Sequence, residues 1–243
     1  MSSRALPSEY AASRTELHRV ATHVVARARH GATGRFGLRP TAGGFGTTAY
    51  GPENEVVRVS GDLLVVDRAG PGGSSTRALR ITGATLHELA AFVGIEIDSG
   101  FSVGDDTPEI GDPNVALRVD PAAGVAAGAW LALTMRAIDE VFAGLGPQAA
   151  PSSLQLWPEH FDLGGDALVG SGRVNLGGSL GDASHQSPYL YVGPWDDRRP
   201  GDSAIWNAPF GARAGHDEIT GAIDPVAAAV EWFTRATSAL AES

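Results

Sequence analysis

The chain has 243 residues and no cysteine, and all 18 of its basic residues are arginine. Those two absences exclude disulfides, thiolate nucleophiles, iron–sulfur clusters, Schiff-base chemistry with pyridoxal phosphate, and nucleotide sites built on a P-loop or kinase lysine. A formal net charge of −10 sets the surface against phosphate backbones, so no nucleic-acid partner is expected, and the missing thiols fit a cytoplasmic location.

The opening residues, MSSRALPSEYAAS, carry no signal-peptide apolar run, and no stretch reads as the roughly 20 apolar residues of a membrane span. Ser13 and Glu16 then have capping-box spacing, and Leu17, Val20, Ala21, Val24, Val25 and Ala28 follow the 3.6-residue helical period up to a stop at Gly31. His18 lies beside this stripe and His23 off it, and both read as solvated, as do His87 and His216. Residues 35–39 suit a short strand, and GGFGT at 43–47 reads as a tight glycine turn. Val56, Val57 and Val59 face Leu63 to Val66 across Ser60–Gly61–Asp62, a hairpin signal; AGPGGSS at 69–75 is a surface loop.

Thr85 to Val93 is a short helix stopped by Gly94, and residues 96–114 are irregular, with an acidic stretch (Asp105, Asp106, Glu109, Asp112) read as a solvated loop. Asp120–Pro121 and Asp224–Pro225 each open a helix, with Asp as N-cap and Pro at the first helical position. Between them, Leu154–Trp157, Phe161–Leu163, Val174–Leu176 and Tyr189–Val192 read as strands. The pattern predicts an α+β fold, with mixed or antiparallel sheet segments at about 34–68 and 153–193 packed with four main helices. It predicts one domain over 1–243, with two lobes, 1–119 and 120–243, as the alternative.

Chemistry concentrates between Trp157 and Asn207. In LQLWPEHFDL, an extended strand puts His160 and Asp162 on one face, where they suit a divalent metal or an acid/base pair. GDASHQSPYLYVGPW adds Asp182 and His185. The expected ligand or catalytic set is His160, Asp162 and His185, with Glu159 and Asp182 supporting the ligands or acting as base. Trp157, Tyr189, Tyr191, Trp195, Trp206 and Asn207 are the expected walls of a small-molecule cleft. No metal signature such as HExxH is present, so hydrogen bonding of His160 and Asp162 within a polar core stays open. A non-catalytic protein using its aromatics as a partner or self-association surface is the alternative.

Five segments carry a resemblance: TELHRVATHVVARAR, GLRPTAGGFGT, LQLWPEHFDL, GDASHQSPYLYVGPW and WNAPFGA. Through them the chain resembles, over most of its length, an uncharacterised family of bacterial proteins from high-GC genomes. WPEHFD followed by PYLYV is also similar to a broader domain of unknown function with a WPHHFD-like motif, in which Glu159 takes the place of the first His. The resemblance implies the same functional region and supplies no reaction.

Overall fold

The computed structural model describes residues 5–241. It has two five-stranded antiparallel sheets and five helices among the described residues, the α+β fold that the pattern predicts. The chain divides into two compact units. One holds residues 6–129 and 156–161; the other holds 130–155 and the described residues from 162 onward. The division falls inside a helix, between Ala129 and Trp130.

In the first unit, α1 (Tyr10–Val20), a π-helical segment (Ala21–Ala26) and α2 (Arg27–Thr33) make one continuous helix. Ser13 is not its cap. The chain enters at Glu9 without a side-chain cap, and buried Ser13 accepts the Asp120 N–H at 2.9 Å instead. The stop is Gly34, left-handed at φ 70°, three residues beyond Gly31. Leu17, Val20, Val24 and Val25 supply the buried stripe.

β1 (Arg39–Thr41), β2 (Gly44–Gly46), β3 (Val56–Ser60), β4 (Leu63–Gly70) and β5 (Gly73–Arg80) form the first sheet in sequence order. The first strand thus starts later than the 35–39 pattern suggested, and within GGFGT the turn is confined to Gly43, while Gly44–Gly46 is a buried strand. Glycine is required there by close approach, since a Cβ on Gly44 would lie 2.2 Å from the Val59 carbonyl oxygen. Alternation places Val57 and Val59 inward, paired with Val66 and Leu64. AGPGGSS becomes the tight end of the β4–β5 hairpin, where Gly70 pairs with Gly73. The short helix α3 (Leu86–Val93) has the full Thr85/Glu88 capping box and ends at left-handed Gly94.

α4 (Pro121–Leu145) opens at Asp120, whose carboxylate accepts the Ala122 N–H at 2.9 Å. It is long and apolar enough to cross a membrane by length and composition, contrary to the expectation from sequence; half of its most apolar window is buried inside the protein. Gly124 and Gly128 share one side of it, pressed on backbone: added Cβ atoms would sit 2.2 Å from the Gly61 oxygen and 2.6 Å from the Gly43 carbonyl carbon.

The second sheet comprises β6 (Gln155–Trp157), β7 (Asp162–Val169), β8 (Gly172–Ser179), β9 (Tyr189–Pro194) and β10 (Ala212–Gly215), in the order β10-β9-β8-β7-β6. α5 (His216–Thr220) and α6 (Pro225–Ala241) follow. Asp224 caps α6, accepting from the Val226 and Ala227 N–H groups. Register gives this sheet two unlike faces. Leu176, Gly178, Leu190 and Val192 share one, on which Thr134 of α4 approaches Gly178. Asp162, Gly164, Gly177, Ser179, Tyr189 and Tyr191 share the other.

Candidate functional site

The WPEHFD segment does not continue as a strand through His160. Residues 158–161 form a turn closed by the Phe161 N–H on the Trp157 carbonyl at 2.8 Å, and Phe161 is left-handed at φ 53°. The turn, ending in left-handed Phe161, breaks the alternation, so His160 and Asp162 do not share a strand face. His160 belongs to the first unit and Asp162 opens β7 in the second.

Four side chains of the long helix hold the surroundings of the turn. His18 Nε2–H and the Thr22 hydroxyl both donate to the Pro158 carbonyl, each at 2.8 Å. The His18 ring stacks on Phe161, with centroids 5.0 Å apart and planes 9° from parallel, and Phe45 meets Phe161 edge-on at 5.1 Å. His23 Nε2–H donates to the Pro108 carbonyl at 2.8 Å, and the Arg19 guanidinium donates to the Ile110 carbonyl. The π segment suits this spacing, because its wider turn stacks residues five apart. The expectation of solvated histidines is therefore wrong for His18 and His23. Burial pushes the His18 imidazole down to about 4, against the pull of the Pro158 carbonyl, so it is neutral with one N–H to give. His216 is buried too, against Trp130 and hydrogen-bonded to Asp217, whereas His87 is exposed.

This framework brings Asp106 to the turn. The Asp106 N–H donates to Glu159 Oε1 at 3.1 Å; His160 Nδ1 lies 3.5 Å from Asp106 Oδ2, and His160 Nε2 lies 3.8 Å from Glu159 Oε2. The Glu159 carboxylate lies against Gly104, where any Cβ would fall within 2.0 Å of it. One donor atom each from Asp106, Glu159 and His160 lie within 4.8 Å of one another. The Asp106 and His160 side chains are 75% and 52% exposed, which leaves them free to close on an ion. Asp106 lies in the acidic loop expected to be solvated, and it is exposed; nothing in its local sequence signals a partner 53 residues away.

The second unit gathers most of the remaining expected residues. Tyr191 lies across Gly177 and Gly164, and its hydroxyl donates to Asp162. The Tyr189 hydroxyl donates to Asp182 Oδ2 at 2.6 Å, while Asp182 Oδ1 accepts from Ser184 and from the His185 N–H. Burial acts to raise the Asp182 carboxyl, but these hydrogen bonds outweigh it and hold the group down to about 2. Burial pushes both tyrosine hydroxyls above their ordinary range, and burial together with Arg213 lowers the His185 imidazole. His185 packs edge-on to Tyr189, and Phe210 stacks on Tyr189 and meets Tyr191 edge-on. The array is a hydrogen-bonded network in which Asp182 is ionised.

The outer aromatics do not converge on one cleft. Trp195 is 63% exposed, with its indole N–H on Asn175 and Arg173 against its ring. Trp206 donates to the Pro200 carbonyl under Arg199. Asn207 is spent on backbone, exchanging two 2.9 Å hydrogen bonds with Arg213. Trp157 is half-exposed in the first unit. A surface depression of about 460 Å³ lies beside Pro200, Ile205 and Arg235, and contains none of the expected ligand-binding residues. No known family model, curated protein or solved structure matches this chain.

Proposed function

We propose that the protein binds a divalent metal ion through His160, Glu159 and Asp106. The observation that carries this reading is the convergence of one imidazole and two carboxylates within 4.8 Å from segments 53 residues apart. A tetrahedral ion with bonds of about 2.1 Å holds its ligand atoms roughly 3.4 Å apart, so closure needs shifts of about 1 Å that exposed side chains make readily. One nitrogen and two oxygens suit zinc or manganese, and three protein ligands leave positions for water or a small anionic molecule. The ligand set differs from the expected His160, Asp162 and His185 by exchanging the last two for Glu159 and Asp106.

The test is calorimetric titration of chelator-treated protein with zinc and manganese, beside His160→Ala and Asp106→Ala. Saturable binding in the wild type that is lost in both variants supports the site. No binding, with the three side chains then acting as a surface ion pair, refutes it. A partner surface is the second reading, favoured by Trp195, which is rigidly held yet 63% exposed. Self-association that weakens in Trp195→Ala would support it.

A further inference from the structure

The metal reading requires more than three ligand residues. Glu159 and His160 are adjacent, and in an extended chain their side chains would leave on opposite sides. Here they converge because residues 158–161 turn and Phe161 takes a left-handed backbone, a conformation that costs a non-glycine residue of order 1 kcal/mol and persists only where surroundings enforce it.

The surroundings that do so come largely from one residue. His18 grips the turn at both ends, donating Nε2–H to the Pro158 carbonyl before the ligands and stacking its ring on Phe161 after them. Thr22, one helical turn on, gives the second hydrogen bond to Pro158, and Phe45 closes the far edge of Phe161. Leu156, just ahead of the turn, exchanges two backbone hydrogen bonds with Leu38. The loop bearing Asp106 is tied to the same helix through His23 and Arg19. The imidazole supplies both a flat ring and a ring N–H at this place: phenylalanine keeps the ring alone, and glutamine keeps the donor alone.

We propose that His18 is the positioning residue of the metal site: it holds the 158–161 turn in the conformation that presents Glu159 and His160 together to Asp106. The inference rests on the metal reading above. Groups that orient ligands in this way change metal affinity by about 10–100-fold when removed.

The experiment measures zinc affinity by calorimetry and folding by circular dichroism on wild type, His18→Ala, His18→Phe, His18→Gln and Thr22→Val, at a temperature where each is folded. Affinity should fall about 10–100-fold in His18→Ala, with partial recovery in His18→Gln, which restores the donor, and in His18→Phe, which restores the stack. A role in stability alone would lower the melting temperature and leave the affinity of the folded protein unchanged. Should His18→Ala misfold, the two conservative variants and Thr22→Val, which removes one donor and keeps the ring, give the same comparison. Wild-type affinity in folded His18 variants overturns the positioning role alone. Absence of zinc binding by the wild type overturns the metal reading and this inference with it.

Discussion

Replacing Gly128 by alanine in the middle of α4 should destabilise the protein, against the intrinsic preference of helices. In an open helix the change gains up to about 1 kcal/mol, because glycine loses more conformational freedom on folding. At Gly128 the new methyl would lie 2.6 Å from both the Gly43 carbonyl carbon and the Gly44 nitrogen, and 2.7 Å from the Gly43 oxygen. Ordinary contact begins near 3.4 Å, so about 0.8 Å must be found. Backbone provides no rotamer to absorb it, and overpacking of this kind costs about 1–3 kcal/mol. The net expectation is a loss of about 1–2 kcal/mol, or a fall in melting temperature of roughly 2–8 °C for a chain this size. Gly144 provides the control in the same helix, since a methyl there meets nothing within 4 Å. Gly144→Ala should be neutral to slightly stabilising. Thermal melts by circular dichroism compare the two directly. If Gly128→Ala melted at or above the wild type, the close approach of α4 to β2 would be refuted.

Other expectations are independent of that one. Tyr191→Phe removes a donor to the half-buried Asp162 side chain and should cost about 0.5–1.5 kcal/mol in a urea titration; an unchanged midpoint would show that this hydrogen bond contributes nothing. Asp182 is held at about 2 against an ordinary 3.8, so its contribution is present above pH 4 and disappears as pH falls from 3.8 towards 2. The shift corresponds to at most about 2.4 kcal/mol, and water around the carboxylate reduces it to about 1 kcal/mol. Asp182→Asn should accordingly lie closer to the wild type in stability at pH 2 than at pH 5; a constant gap would contradict the assignment. Asn207→Ala should speed hydrogen exchange at the Arg213 amide selectively, and unchanged protection there would mean that the loop is pinned otherwise.

Features written in local chemistry were legible from sequence. The short helix that ends at Gly94, the Asp–Pro openings of α4 and α6, and the Gly61 hairpin each depend on neighbours a few residues away. Ser13 misled because its spacing to Glu16 fits a cap equally well when the hydroxyl is used to hold Asp120, 107 residues on. The GGFGT strand misled because glycines that permit a turn also permit backbone to lie against backbone. At the candidate site the sequence displays the WPEHFD segment but not the turn within it or its approach to Asp106. The 158–161 turn, left-handed at Phe161, separates His160 from Asp162, and Phe161 is packed by Phe45 and His18, which no local pattern couples to it. His18 and His23 were misjudged for a related reason: their partners, the Pro158 and Pro108 carbonyls, lie 140 and 85 residues away.

The hexapeptide 156–161 has a further consequence for how the protein is made. It belongs to the first unit but is synthesised about 30 residues after the rest of that unit, a delay of a few seconds at roughly 5–20 residues per second on the ribosome. Until it arrives, Leu38 has no backbone partner, and Phe45 and His18 lack the ring that fills the space between them. The nascent chain therefore holds an open, apolar slot that its own later segment must plug, so a ribosome stalled before Phe161 should present a chaperone-binding intermediate in place of a finished first unit.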